Sequence, residues 1–211
     1  MIPTKDEWKK ALEERHGKQL QEKFSNATVA VCGLGGLGSN ISVSLARAGI
    51  GCLILIDFDK VDITNLHRQQ YKAGQIGEYK AEATAKNLKE IAPYVEVEAH
   101  VSRLDEHNAA ALLKDADIIC EAFDKAENKA MLANFVLENF PDKYLVAASG
   151  MAGSKSANSI KTKRISKKFY LCGDGVSDVS SEKTLYAPRV MLCAAHQALT
   201  VLRIIAGKFE V

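Results

Sequence analysis

The sequence predicts an α/β fold, a doubly wound and mainly parallel sheet of the Rossmann-like type. Segments with the pattern of strands alternate with segments that have the pattern of helices along most of the chain, which is the order of a parallel sheet. The segment 52–58, CLILIDF, is apolar until Asp57, as expected of a strand that helices cover on both faces. A glycine cluster joins the strand 28–32 to the helix that follows it, which predicts a tight turn there.

The remaining elements follow in a regular order. Thr4 and Glu7 have the spacing of a capping box, and they open a helix that is interrupted near Gly17. The predicted helices then lie at 36–48, 78–91, 106–113, 126–139 and 187–206. The further strands are predicted at 94–101, 116–123 and 144–150, with a strand or hairpin over 156–171 and a loop over 172–186.

Composition and charge exclude several classes of protein. The chain has 211 residues, of which 47% are hydrophobic and 26% are charged, as in ordinary globular domains. A net charge of +2 gives no argument for nucleic acid or a membrane surface, and no apolar run approaches the ~20 residues of a membrane span. The five cysteines are widely spaced and form no C-x-x-C pair, so we expect reduced thiols in a cytoplasmic protein without structural zinc.

The glycine cluster has the context of a nucleotide-binding loop. CGLGGLGS supplies four glycines, at 33, 35, 36 and 38, between a strand and the N-terminus of a helix. Free backbone N–H groups and the helix dipole favour a phosphate at such a position. Asp57, at the end of the second strand, is placed to accept hydrogen bonds from ribose hydroxyls. An NAD-dependent oxidoreductase would use the same pattern, so the loop alone leaves the nucleotide open.

Further polar residues follow the strands at their carboxyl ends. The connection after the second strand contains Asn65, Arg68 and Gln69, and Arg68 has the planar fork of donors that suits phosphate oxygens. Lys80 adds a second positive charge at the start of the next helix. Asp124 follows the strand 116–123, and a carboxylate beside a triphosphate indicates Mg²⁺ between the two.

These motifs together resemble the ThiF/MoeB family of ubiquitin-activating-type adenylyltransferases. The resemblance rests on GLGGLGS, ILIDFD, NLHRQQY, IGEYK and a strand that leads to Asp124, and it covers roughly residues 10–207. CEAFDKAENKAML, AASGMAG and FYLCGDGVSD are most similar to the short ThiF type. We therefore predict one ThiF-like adenylating domain over 1–211, with an N-terminal helix at 4–24, a nucleotide-binding core at 27–150 and a C-terminal strand, loop and helix region at 151–211.

The resemblance implies an activity and its partners. Members of the family use Mg-ATP to adenylate the C-terminal glycine of a ubiquitin-like sulfur carrier that ends in Gly-Gly, and they release pyrophosphate. For the ThiF type the carrier is ThiS-like and the pathway is thiamin thiazole biosynthesis. The enzyme is usually a homodimer. Nucleic acid and membranes are not expected as partners. The alternatives from the residues are adenylation of another carboxylate, such as one borne by tRNA, a nucleotide-sensing protein without chemistry, and an NAD-dependent oxidoreductase.

The resemblance also implies roles for individual residues. The residues that would bind the nucleotide are Gly33, Gly35, Gly36, Gly38, Asp57, Asn65, Arg68, Gln69 and Lys80. Arg68, Lys80 and Asp124 would be catalytic, with Asp124 holding Mg²⁺ through the ATP phosphates. Arg15 would act in trans, on the site of the partner subunit.

The sequence departs from the longer family members in its cysteines. Those members carry two C-x-x-C pairs that hold zinc, and a cysteine before the final helix that links to the carrier. The corresponding segment here, VSDVSSEKTLYAPRV, has no cysteine. Cys172 lies beside a predicted turn in YLCGDG, so we expect it to be the most exposed thiol and the candidate for sulfur transfer, although a half-buried structural thiol fits the same pattern.

Overall fold

Seven strands form one sheet in the computed structural model, which describes residues 2–211. The strands are β1 (Thr28–Cys32), β2 (Cys52–Ile56), β3 (Glu96–His100), β4 (Ile118–Glu121), β5 (Tyr144–Ala148), β6 (Lys161–Arg164) and β7 (Phe169–Gly173). Their order in the sheet is β3-β2-β1-β4-β5-β7-β6. Every neighbouring pair is parallel except the β6–β7 hairpin, so the predicted doubly wound, mainly parallel sheet is confirmed.

The helices follow the predicted alternation. They are α1 (Lys5–His16), α2 (Lys18–Ser25), α3 (Gly36–Arg47), α4 (Lys80–Ile91), α5 (Ala109–Leu113), α6 (Ala126–Asn139), α7 (Val179–Glu182) and α8 (Ala187–Ile205). The predicted capping box is present at α1, where the Thr4 backbone N–H donates to the Glu7 carboxylate at 2.7 Å. Gly17 separates α1 from α2 with a φ of 82°, a conformation that favours glycine.

Two hydrophobic cores lie on opposite faces of the sheet. Val29, Val31 and Leu53 point to the face that α3, α4 and α8 cover. The alternate residues, such as Ala30 and Ile54, point to the face that α5 and α6 cover. Because both faces are buried, strands β1 and β2 are apolar throughout, which is the pattern that the sequence shows.

The strand order opens a crevice beside β1. Strand β1 lies between β2 and β4, and the residues that end β1 and β4, Cys32 and Glu121, are paired in register. The loop after β1 therefore leads toward one side of the sheet and the loop after β4 toward the other. Ligands of open α/β sheets bind in such a crevice, outside the carboxyl ends of the strands.

The C-terminal region is more regular than the sequence indicates. The predicted hairpin over 156–171 is confirmed as β6 and β7. The predicted loop over 172–186 is wrong in part, because β7 continues to Gly173 and the helix α7 lies within the segment. Asp178 caps α7 by accepting a hydrogen bond from the Ser180 N–H at 2.7 Å. Within residues 2–211, every helix falls short of the length and apolar content that crossing a bilayer requires.

Gly38 holds the first turn of α3 against the glycine loop. A Cβ atom at position 38 would lie 1.8 Å from the carbonyl oxygen of Gly33. Gly33 itself has a φ of 90° and lies close to the backbone of Ala122, so its carbonyl is not free to move away. The absence of a side chain at Gly38 is therefore a packing requirement between helix and loop.

We expect Gly38→Ala to lower the free energy of unfolding by about 1–3 kcal/mol or more, because the added methyl group overpacks a site bounded by backbone. Gly74→Ala is the matched control, since a Cβ atom at Gly74 meets nothing within 4 Å and its φ is not positive. The control should change stability by less than about 0.5 kcal/mol. Urea unfolding of the two variants measures the difference, and equal midpoints would contradict the assignment.

Candidate functional site

A cavity of 790 Å³ lies at the carboxyl ends of the central strands. Its walls come from the glycine loop, the connection after β2, the loops that follow β3, β4 and β5, and the segment before α8. The residues predicted from the sequence that line it are Gly33, Gly35, Gly36, Asp57, Asn65, Arg68, Gln69, Lys80 and Asp124. Gly38, Cys172 and Arg15 are predicted site residues that do not line this cavity.

Asp57 fixes the glycine loop from below. One carboxylate oxygen accepts a hydrogen bond from the Leu34 N–H at 2.6 Å, and the other accepts from the Asp59 N–H at 2.7 Å. The side chain is buried, and burial raises its pKa although these hydrogen bonds and Lys80 oppose the shift. The structure thus gives Asp57 a role in ordering the loops on either side of it, in addition to the predicted contact with ribose.

Lys80 is held at the cavity wall by Asp59. The two charged groups lie 3.0 Å apart, and the Lys80 side chain is buried while the Asp59 side chain is half exposed. A second bond joins the Lys80 N–H to the Asp59 carbonyl at 2.9 Å, so the start of α4 is tied to the end of β2. These contacts fix the position of the ammonium group, which lets it stabilise an anion without first being ordered.

Arg68 and Asp124 bring opposite charges to the same cavity. The Arg68 guanidinium is partly buried and donates to the Thr64 carbonyl at 3.3 Å. Burial lowers the pKa of Arg68, and the negative charge of Asp124 acts in the opposite direction. Asp124 is exposed at the cavity wall, after the end of β4. The pair therefore offers a phosphate both a fork of donors and a nearby carboxylate.

The donor set of the site fits only a metal that the phosphates themselves hold. Within residues 2–211 no group of three or more His, Cys, Asp or Glu side chains is arranged to bind a metal ion. Magnesium in nucleotide enzymes is usually held by one or two carboxylates together with substrate phosphates and water. Asp124 fits that arrangement.

Gln69 supplies a polar atom without a partner. Its side chain is buried at the cavity wall, and its Oε1 atom has no hydrogen-bond partner among the described residues. Such an unsatisfied acceptor costs about 1–3 kcal/mol, which a ligand or water would offset. Gly35 lies beside it, with the Gln69 Nε2 atom 3.7 Å from the position of a Cβ on Gly35. Gly35 is the glycine whose missing side chain opens onto the cavity.

Sequence reasoning missed a buried ion pair below the cavity. Lys129 lines the cavity, and its ammonium lies 3.0 and 3.1 Å from the two carboxylate oxygens of Glu121 and 3.1 Å from the Ala148 carbonyl. Burial raises the pKa of Glu121, and Lys129 opposes that shift. Residues 102–104, after β3, also line the cavity. Their position at the carboxyl end of the strand beside β2 is the signal that could have found them.

The prediction that Cys172 is the most exposed thiol is wrong. Cys172 is fully buried in β7, with its Sγ atom 3.6 Å from Thr162 Oγ1 and 3.9 Å from Thr200 Oγ1. Burial raises the pKa of this thiol, which makes it a weaker nucleophile at neutral pH. The turn begins one residue later, at Gly173, so the strand directs Cys172 into the core beneath α8. Among the described cysteines, Cys52 alone is partly exposed.

Arg15 lies outside the cavity of its own chain. It is exposed in the last turn of α1, ahead of β1. This position is compatible with the predicted action on the site of a partner subunit, which stays a prediction.

Comparison with known proteins identifies relatives along the whole chain. The model of the ThiF family matches residues 9–211. A sulfur carrier protein adenylyltransferase of Thermus thermophilus is 37% identical over 131 residues, which are 62% of this chain and 43% of the relative. The adenylyltransferase and sulfurtransferase UBA4 of Candida glabrata is 28% identical over 99% of this chain and 52% of its own length. The chain thus spans about half or less of the curated relatives described.

A solved structure agrees with the fold over its whole length. The tRNA N6-threonylcarbamoyladenosine dehydratase TcdA of E. coli, in complex with ATP, has a TM-score of 0.86 and 21% sequence identity, and the match covers 99% of this chain and 98% of that one. At this identity the likeness concerns the fold. Since the family model covers nearly the whole chain, the protein belongs to the ThiF family.

Proposed function

We propose that this protein is an adenylyltransferase that uses ATP to activate a carboxylate, namely the C-terminal glycine of a ubiquitin-like, ThiS-like sulfur carrier. The observation that carries the proposal is the grouping of Arg68, Lys80 and Asp124 with the glycine loop around one cavity at the crevice beside β1. The names of its sulfur-carrier-activating relatives support the choice of acceptor. A role in thiamin thiazole biosynthesis, a homodimer and a cytoplasmic location complete the proposal.

The chemistry requires two anions to meet. A C-terminal carboxylate has a pKa of ~3.5 and is ionised at neutral pH, so attack on the α-phosphate of ATP needs no general base. The protein has to align the carboxylate with the phosphate and to stabilise the negative charge that builds up as pyrophosphate leaves. Arg68, Lys80 and the backbone N–H groups at the start of α3 supply positive charge for this task. A magnesium ion on the phosphates would add to it, and Asp124 is the carboxylate that would hold the ion.

A second acceptor is the main alternative. The E. coli protein that matches the fold is named for action on a tRNA-borne group, and adenylation of such a carboxylate would use the same nucleotide site. A net charge of +2 gives no electrostatic support for tRNA. Membership of the ThiF family leaves the NAD-dependent oxidoreductase hypothesis without support.

ATP–pyrophosphate exchange distinguishes the acceptors. Exchange is measured with candidate carriers that end in Gly-Gly, with the same carriers lacking those two residues, and with tRNA. The proposal requires exchange with an intact carrier and none with its truncated form. Exchange that depends on tRNA instead would replace the carrier with the alternative acceptor, and NADH binding without exchange would reject adenylation.

We expect Asp124→Asn to reduce carrier-dependent exchange by at least a hundredfold, because loss of a metal-held charge in the transition state costs several kcal/mol. The matched control is Asp115→Asn, an exposed aspartate outside the cavity that lies 4.0 Å from Lys114. The control should keep wild-type exchange. Near-normal exchange in a folded Asp124→Asn protein would remove Asp124 from the mechanism.

We expect Cys172→Ala to retain carrier-dependent exchange, since adenylation needs no thiol and Cys172 is buried away from the cavity. Under native conditions iodoacetamide should modify Cys52 before Cys172. Burial and the nearby Glu98 and Glu96 raise the pKa of Cys52 to about 11, so its labelling rate should rise with pH from 7 to 10. Cys52→Ser should remove the early labelling. Loss of exchange in folded Cys172→Ala would contradict this account.

We expect inactive Arg15→Ala and inactive Arg68→Ala subunits to restore activity when they are mixed, if Arg15 acts in trans. In a two-fold symmetric dimer each mixed pair regains one site with both arginines, so up to about half of its sites become active. An arginine that acts in the transition state should lower turnover more than ATP affinity. Proven subunit exchange without recovered activity would mean that Arg15 acts within its own chain or has no role.

A further inference from the structure

Arg189 is a buried arginine that sequence reasoning did not single out. It lies in the first turn of α8 and is 6% exposed. A cation at a helix N-terminus is opposed by the helix dipole, and a buried charge needs partners. Arg189 has them in quantity, since its guanidinium uses Nε, Nη1 and Nη2 as donors at once.

The partners of Arg189 belong to two separate loops. Nε donates to the Ala152 carbonyl at 3.2 Å, and Nη1 donates to the carbonyls of Lys155 and Ser156 at 2.7 and 3.0 Å. Nη2 donates to Ser159 Oγ at 3.1 Å and to Asp174 Oδ2 at 2.6 Å. One side chain on α8 therefore joins the loop after β5 to the loop after β7.

Asp174 extends the contact to the second loop. Its Oδ1 atom accepts from the N–H groups of Val176 and Ser177 at 2.9 and 2.8 Å, and its Oδ2 atom accepts from Ser177 Oγ at 2.5 Å. Burial would raise the pKa of Asp174, but the hydrogen bonds from Ser177 and Val176 and the charge of Arg189 lower it to about 2. Asp174 is thus an anion at neutral pH, and the ion pair with Arg189 is fully formed.

These two loops form one side of the cavity, which we name the distal wall, residues 149–152 and 177–179. Ala152 and Ser177 belong to the distal wall and bond directly to Arg189 and Asp174. The glycine loop depends on other contacts, those of Asp57 with Leu34 and Asp59. The supports of the nucleotide end and of the distal wall therefore share no hydrogen bond named here.

We infer that Arg189 and Asp174 are positioning residues for the acyl acceptor, since they order the distal wall independently of the nucleotide end. The inference rests on the proposed function for the identity of that ligand: with ATP at the glycine loop, the distal wall is the side left for the incoming carboxylate. Neither side chain needs to touch the acceptor. Their effect is to hold the loops that guide it to the α-phosphate, where small displacements change rates strongly.

The test uses Arg189→Met, Arg189→Lys, Asp174→Asn and the double variant Arg189→Met/Asp174→Asn. Arg203→Gln is the matched control, because Arg203 lies on the same helix and donates to the Glu210 carbonyl away from the cavity. Three quantities are measured: the Kd for ATP by calorimetry, amide hydrogen exchange along the chain, and the KM for the carrier in pyrophosphate exchange. If Arg189→Met does not fold, Arg189→Lys, which keeps the charge without the planar fork, carries the same test.

We expect hydrogen exchange to accelerate in residues 149–159 and 174–179 of the single variants and to stay unchanged in 33–38 and 57–69. The Kd for ATP should stay within about twofold, while the KM for the carrier should rise by roughly tenfold or more. Arg203→Gln should match the wild type in all three. The double variant removes both buried charges, so it should regain thermal stability without regaining the KM for the carrier.

Several results would overturn the inference. These are faster hydrogen exchange along the whole chain, a weaker Kd for ATP, or a KM for the carrier that recovers together with stability in the double variant. If the wild-type protein shows no exchange with any acceptor, the proposed function fails. The ATP affinity and the hydrogen exchange pattern then still decide whether Arg189 and Asp174 order the distal wall alone.

Discussion

The buried carboxylate of Asp57 connects the loops on which the site is built. It accepts N–H groups from the glycine loop and from the connection after β2, and Asp59, which it fixes, in turn holds Lys80. A buried carboxylate is stable only when hydrogen bonds replace its lost water, and Asp57 has that replacement from two loops at once. Through this one group, the turn after β1 and the start of α4 take a fixed relation to each other.

Positive charge around the cavity is distributed in a consistent way. Lys80 and Lys129 each lie 3.0 Å from a carboxylate that holds them in place. Within residues 2–211, Arg68 has a hydrogen bond of 3.3 Å to Thr64 and a contact of 3.2 Å with His67, which leaves most of its donors for a ligand. The two lysines are thus fixed charges, and Arg68 is the group with capacity for direct, forked recognition of phosphate. This division suits a reaction in which negative charge moves between phosphates.

The sequence predicts the parts of this structure that depend on local pattern and on strand order. Alternating strands and helices, the glycine cluster and the polar residues after each strand were enough to place Asp57, Arg68, Lys80 and Asp124 around one crevice. Burial of Cys172 was not predictable in the same way, because it depends on where β7 ends and on which side α8 packs. The contact of Arg189 with Asp174 joins residues 15 positions apart across a segment without periodic pattern, so only the folded chain reveals it.

The glycine loop has uneven tolerance for change along its length. A side chain at position 38 would collide with backbone at 1.8 Å, whereas one at position 35 would meet first the flexible end of Gln69 at 3.7 Å. The two glycines are three residues apart and look alike in the sequence, yet one is required by the architecture and the other only by what occupies the cavity. Substitutions that appear among relatives at position 35 would therefore report a change of ligand. Substitutions at position 38 would report a different packing of the first helix against the sheet.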